Sequence, residues 1–286
     1  MTRSLTYIST LIIGLFYIIN VAAQNPMKFE NTIAVAEDAN TNGHLSTLEG
    51  YIPSMSVTQD GKTAYFSKTS EQKPLYGLFS KKERVHEIYR AEKINGKWTN
   101  ITKLDVCPKY ASAKHPTVSE DGSRLFFASN MKGSYGKYDI YVTDINTDGS
   151  LGVSKNLGPK VNTKEDELYP NIYNSTLLFF ASEGRDGFGG LDLYATQVVQ
   201  NTLTPSVNLG SHINSSRDDY SIQLDIEKGE SYVVSNRGLN HTIEQVTISY
   251  RRQPMDGSVV AYNDKNLDAA LTAEASHKYT STSFED

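Results

Sequence analysis

The chain has little of several things. It holds one cysteine, Cys107, in 286 residues, so no intramolecular disulfide forms and the small disulfide-stapled scaffolds of exported proteins are excluded. Cys107 itself, in a Val-Cys-Pro context, reads as a small apolar packing residue. Basic residues are in deficit, with 28 Lys and Arg against 33 Asp and Glu. A nucleic-acid role needs a basic stripe, so the composition argues against one. Beyond residue 23 no apolar run approaches the ~20 residues that a membrane-spanning helix needs, so no membrane insertion is expected. The six histidines show no paired metal-ligand spacing, and no Gly-x-Ser-x-Gly nucleophile elbow occurs. No cofactor is expected.

What is present is concentrated at the start and then repeated. Arg3 precedes an uncharged apolar stretch from Leu5 to Ile19, and Val21-Ala22-Ala23 has the small residues of a cleavage site. Residues 1–23 therefore read as a secretory signal peptide, which places the product outside the cytoplasm, in the periplasm or against the outer membrane. Aromatic residues are plentiful, with 18 Tyr and 10 Phe, a composition suited to strands.

Four segments then say nearly the same thing: YIPSMSVTQDGKTAYFSK (51–68), HPTVSEDGSRLFFASN (115–130), YPNIYNSTLLFFASE (169–183) and YSIQLDIEKGESYVVSNR (220–237). Measured between Pro53, Pro116, Pro170 and Ser221 the steps are 63, 54 and 51 residues. Strand-built units at this period predict an all-β fold, a β-propeller of four four-stranded antiparallel blades, or five if one repeat is degenerate, across residues 24–254. In the second unit HPTVS and RLFFAS are successive strands joined at Asp121-Gly122. NMKGSYGK is a loop, YDIYVTDI the third strand and LGVSKNLG the outer one. RLFFAS is apolar nearly throughout, as a strand covered on both faces must be. In the first unit, residues 69–85 read as a long loop. The fourth lacks a clear outer strand, and residues 29–36 are expected to complete it and close the ring. Residues 255–286 read as the start of a transthyretin-like β module or a disordered tail.

HPTVSEDGSRLFFASN with YDIYVTDINTDGSLGVSKNLGPKVN, and LYPNIYNSTLLFFASEGRDGFGGLDLY, resemble the PD40 (WD40-like) propeller repeat. That repeat occurs in TolB-type periplasmic propellers and in OmpA-family envelope proteins, where a transthyretin-like module and a peptidoglycan-binding OmpA domain follow it. The resemblance implies the bacterial envelope, near outer-membrane assembly, gliding or secretion, and the expected role there is a non-catalytic interaction scaffold. Its partners would be envelope proteins or a cell-wall component. The alternative is a propeller hydrolase acting on a glycan or peptide.

Two groups of residues are candidates for chemistry. Asp144, Asn146 and Asp148 alternate like the first half of a calcium loop, but position twelve is Lys155 instead of a bidentate acid, and INTDG reads better as a hairpin turn. The second group is positional. The connectors leading into each first strand end in Glu49, Lys114, Asp166-Glu167 and Asp218-Asp219, and they should ring the mouth of the central channel as a mostly acidic set. The Gly-rich loops on the same face add Tyr135, Arg185 and Phe188, residue types that interfaces use.

Overall fold

In the computed structural model the described residues are 55–73, 82–199, 202–225 and 229–249. They form an all-β fold, a four-bladed β-propeller in which each blade is an antiparallel meander. Blade 1 comprises β1 (Met55–Val57), β2 (Thr63–Gln72), β3 (Glu83–Ile94) and β4 (Lys97–Lys103). Blade 2 comprises β5 (Ala113–Val118), β6 (Arg124–Ser129), β7 (Asp139–Asp144) and β8 (Lys155–Asn156). Blade 3 comprises β9 (Glu167–Tyr173), β10 (Leu177–Ser182), β11 (Asp192–Val199), β12 (Thr202–Leu203) and β13 (Val207–Asn208), the last two both pairing with β11. Blade 4 comprises β14 (Asp219–Asp225), β15 (Glu230–Ser235) and β16 (Glu244–Ser249). The expected closing strand at 29–36 and the segment 255–286 lie outside the described residues; among the described residues no helix is long and apolar enough to cross a membrane.

The near-continuous apolar second strands are explained by where their alternate side chains go. Successive residues of a strand point to opposite faces. Phe126 of β6 therefore packs between blades 2 and 3, while its neighbour Phe127 packs between blades 1 and 2. In β10, Phe180 faces blade 2 and Phe179 faces blade 4. All four rings are at most 1% exposed. The second and third strands of three blades share one cross-strand aromatic pair: Phe66 on Tyr89, Phe127 on Tyr141 and Phe180 on Tyr194, with ring centroids 5.9, 6.0 and 6.0 Å apart. Blade 4 has Val233 opposite Val246 instead.

The turn residues behave as their types require. Asp60 and Asp121 each accept the backbone N–H two residues on and a hydroxyl two residues back, and the glycine after each adopts positive φ, 68° and 70°. Blade 1 departs from the expected pattern. Its second and third strands pair from Thr63↔Glu92 as far as Gln72↔Glu83, so much of the segment read as loop is a continued hairpin. Strand-forming Thr, Val and alternating charges there sustain pairing beyond the length used in the other blades.

The first strands of successive blades lie side by side, β1 against β5, β5 against β9 and β9 against β14. Side chains staple each to the next. Ser56 Oγ accepts from Val118 N, Thr117 Oγ1 from Ile172 N, and Asn171 Nδ2 donates to Ile222 O.

Candidate functional site

The loops between second and third strands are held open by a buried acid at the start of the third strand. Asp139 accepts the N–H of Tyr135 and of Gly136, and also Asn156 Nδ2; Asp192 accepts the N–H of Phe188 and of Gly189. Both carboxylates are almost wholly buried, and burial raises that of Asp192 above its ordinary range. The glycines are required by packing. A Cβ on Gly136 would sit 2.5 Å from Glu165 O, and one on Gly189 1.9 Å from Arg217 O, both backbone oxygens of the next blade's connector. Fixed in this way, Tyr135 is 54% exposed and Phe188 49% exposed at matching places on adjacent blades. In blade 4 the equivalent loop carries Leu239, 89% exposed, on a short 3₁₀ turn (Leu239–His241).

The connectors do reach this face, but their acids are not the solvent-facing ring expected from the sequence. Asp166 Oδ1 accepts the N–H of Tyr138, Asp218 Oδ1 that of Leu191, and in blade 2 Ser112 Oγ does the same for His86. Each is an inter-blade clamp, on the residue just before the third strand in blades 2 and 3 and on the fourth residue of the longer third strand in blade 1. Asp218 is further engaged by Asn236 Nδ2 and by the Tyr220 hydroxyl. The next residues, Glu167 and Asp219, are both fully buried. Glu167 accepts from Thr163 N, Thr163 Oγ1 and Ser182 Oγ; Asp219 accepts from Ser215 N and Oγ and pairs with Arg237. Because alternate residues of a strand face opposite ways, one acid of each pair clamps the neighbouring blade while the other turns inward. Burial pushes the Glu167 carboxyl up to about 7 despite its three donors. Glu49 lies outside the described residues.

Lys114 is the connector residue with the least structural employment. Its ammonium stands 4.0 Å from the centroid of the Tyr138 ring. Beside it, His115 stacks on Tyr169 at 3.9 Å with an interplanar angle of 16°, and Tyr169 meets Tyr220 edge-on at 5.8 Å. These three rings run across the first strands of blades 2, 3 and 4. His115 and Tyr169 both occupy left-handed backbone, φ 56° and 51°, at bulges in β5 and β9. Such conformations cost of order 1–3 kcal/mol each and persist where the surroundings impose them. The His115 Nδ1 accepts from Tyr169 N, which leaves the ring proton on Nε2. Burial and the nearby Lys114 hold His115 well below its ordinary pKa; burial lowers Lys114 too, partly offset by Asp166. Burial, with Asp218, pushes the Tyr169 phenol up to about 12. Of the expected connector residues, Asp166 and Asp218 clamp backbone of neighbouring blades and Lys114 faces the Tyr138 ring, while His115, Tyr138, Tyr169 and Tyr220 were not among the residues singled out from the sequence.

The remaining candidates resolve into architecture. Arg185 donates to Lys160 O and Val161 O and lies across the Tyr194 ring. Asp148 is occupied by Ser150 N and Oγ, Asn146 Nδ2 reaches Ser150 Oγ, and Ile145 bridges Leu151. The 144–149 segment is therefore a self-satisfied hairpin turn. No group of three His, Cys, Asp or Glu side chains suited to a metal occurs among the described residues. Cys107 lines a cleft of about 230 Å³ in blade 1 with Glu87, Lys103 and Asp105; its thiol points to Ala111 O, and burial raises its pKa.

No family model matches the chain. No curated protein matches it either. Among solved structures it is similar to TolB from Acinetobacter baumannii, with 11% identity over 70% of this chain and 43% of that one and a TM-score of 0.37. A puromycin-hydrolyzing peptidase of Mycobacterium tuberculosis matches at 13% identity, 68% of this chain, 29% of that one and a TM-score of 0.45. The periplasmic gluconolactonase PpgL of Pseudomonas aeruginosa matches at 15% identity, 70% of this chain, 57% of that one and a TM-score of 0.38. The chain spans less than two thirds of each of these proteins. The likeness concerns the propeller fold, and none of the three carries an activity to this chain.

Proposed function

We infer that this chain is an exported, non-catalytic β-propeller that holds partner proteins of the bacterial envelope on the face formed by its second-to-third-strand loops. The carrying observation is the pair Tyr135 and Phe188. Each is about half exposed and each is presented on a loop whose backbone is locked by a buried aspartate. Aromatic side chains on rigid loops lose little entropy when they are covered, which suits them to anchor an interface. Resemblance of the repeats to the PD40 pattern, and the apolar leader at 1–23, support the envelope as the setting. The hydrolase alternative is weakened by where the acids lie. Glu167, Asp139, Asp192 and Asp219 are buried and, one oxygen of Asp192 apart, taken up by backbone and side-chain donors, so they lack the substrate access that general acid–base work needs.

The test is a capture experiment with envelope extract on immobilised protein. Native chain, Tyr135→Ser/Phe188→Ser and Val153→Ser are compared, Val153 being an apolar residue 76% exposed on the outer hairpin of blade 2. The same bands should be held by the native chain and by Val153→Ser and lost by the double variant. Equal retention by all three would remove the loop face from the reading.

A further inference from the structure

The first strands of blades 2, 3 and 4 around the axis start from a matching pair and each then bulges, with Lys114 paired to Ala128 and Leu168 to Ala181 before the bulge, and Tyr220 itself the bulged residue in blade 4. Ala113, Glu167 and Asp219 pair with the matching serines Ser129, Ser182 and Ser235. The next position is therefore Lys114 in blade 2, Leu168 in blade 3 and Tyr220 in blade 4. Leu168 and Tyr220 are buried, at 9% and 4% exposure, and pack into the inter-blade cores. The fold thus takes an apolar or aromatic residue at this position, and blade 2 places an ammonium there instead.

That ammonium is poorly compensated. Among the described residues no carboxylate lies within ion-pair distance of Lys114 and its contact is the Tyr138 ring; Asp166 attracts it from further away. A half-buried cation facing an aromatic ring recovers part of its lost hydration, but not what an anion would supply. The adjacent His115 is fixed by Tyr169 N in the tautomer that carries a proton on Nε2, and no acceptor for that proton occurs among the described residues. An ammonium over the Tyr138 ring and an N–H donor on the ring stacked against Tyr169 therefore occupy successive residues of one bulged strand, near enough that the Lys114 charge helps to lower the His115 pKa.

We propose that Lys114 and His115 form an axial binding site for a carboxylate group, with Lys114 as its counter-ion, His115 Nε2–H as its hydrogen-bond donor and the tyrosines as walls against the ligand's CH or planar face. The carboxylate belongs to an acidic peptide side chain or to a uronic acid, two sources with the same recognition chemistry. The protein as a whole is negatively charged, 33 acids against 28 bases. Non-specific attraction of polyanions is thereby disfavoured, and any affinity has to come from a local site.

The experiment is isothermal titration at neutral pH and low salt with two carboxylate probes, capped hexaglutamate and trigalacturonate, and their neutral counterparts, capped hexaglutamine and galactotriose. At least one carboxylate probe should bind saturably at one site per chain, and the peptide and sugar arms identify the source. Lys114→Leu installs the residue that blade 3 uses at this register. It should weaken binding at least tenfold while melting no lower than the native chain. Lys114→Met, which keeps an unbranched stem along Tyr138, should lose binding equally, so the result does not hang on one substitution. The Tyr135→Ser/Phe188→Ser protein should bind the probe as the native chain does, so this site and the loop-face reading fail separately. The proposal is overturned if neither carboxylate probe binds, if the neutral probes bind equally well, or if both Lys114 variants retain native affinity.

Discussion

Blades 2 and 3 close the end of their outer strand in one way, and blade 1 does it in another. In blade 2, Asn162 lies inside the blade. Its Oδ1 accepts Ile140 N, while its Nδ2 donates to Ile140 O and Asn156 Oδ1. In blade 3, Asn214 repeats this on Leu193 N, Leu193 O and Asn208 Oδ1. One buried amide thus stands in for a missing stretch of strand, satisfying backbone groups that would otherwise cost about 1–3 kcal/mol each. Blade 1 has no counterpart. Leu104 N still bonds Ile88 O, as Leu157 N bonds Ile140 O, but the chain beyond runs past Cys107 to Ala111 and leaves the 230 Å³ cleft. The three blades share their central strands and differ here in what plugs the end of the outer one.

The largest effect should come from the part the blades share. Phe180→Ala removes a ring with no solvent exposure from the core between blades 2 and 3 and breaks the stack on Tyr194. It should cost about 3–5 kcal/mol by urea denaturation. The corresponding Val233→Ala in blade 4 removes less volume and no stack, and should cost clearly less. Equal losses would mean that the repeated aromatic pair has no special part in the fold.

Glu167 sharpens the comparison between blades 3 and 4, where equivalent acids differ in company. Asp219 has Arg237 as an ion-pair partner, whereas Arg185 gives its guanidinium to carbonyls. Burial raises the Glu167 carboxyl from 4.5 to about 7, so the folded state binds this proton more tightly than the unfolded state does. The contribution of Glu167 is present in full below about pH 4.5 and is lost as pH rises to 7, by up to about 3 kcal/mol. His86 and His115, both lowered, act in the opposite sense over the same range. The readout is therefore the difference between native protein and Glu167→Gln. The variant should lack the falling component between pH 4.5 and 7, measured as midpoints at constant ionic strength. A difference that does not vary with pH would mean that the three donors outweigh burial.

Asn162→Ala and Asn214→Ala test the plug itself. Each should cost about 2 kcal/mol, because backbone groups of Ile140 or Leu193 lose their partner inside the blade. Hydrogen exchange should rise at those amides in particular. A loss below about 0.5 kcal/mol would show that water replaces the amide and that the open blade 1 is no weaker for lacking it.

The architecture was legible because it is written in residue type at repeated spacing. FFAS strands and Asp-Gly turns identify the blade even where identity between repeats is low. The plug was legible in principle, since Asn156-Leu157-Gly158 with Asn162 and Asn208-Leu209-Gly210 with Asn214 keep one spacing, but a polar residue six places after a strand looks like a loop residue. The acidic ring misled for a different reason. Adjacent acids such as Asp166 and Glu167 look like one patch of charge, yet the strand sends them to opposite sides, one to a backbone clamp and one to the interior. The axial cluster depends on His115 and Tyr169 adopting positive φ, which nothing in a His-Pro or Tyr-Pro pair announces.

The smallest expected effect concerns the turn at 144–149, where the sequence holds half a calcium loop but reads better as a hairpin, and the structure has the hairpin. Asp148 already accepts Ser150 N and Oγ, and its exposed carboxyl is lowered by those bonds. Binding a cation would require breaking them, with no further acid nearby to complete a coordination shell of 6–8 oxygens. Millimolar calcium should therefore leave the melting temperature unchanged. Asp148→Asn, which keeps an acceptor for Ser150, should fall within about 0.5 kcal/mol of the native chain whether or not calcium is present. A calcium-dependent rise in melting temperature that this variant abolishes would return the segment to the list of sites, and would set blade 2 apart from blade 3 at a position where the two otherwise differ only in their turn.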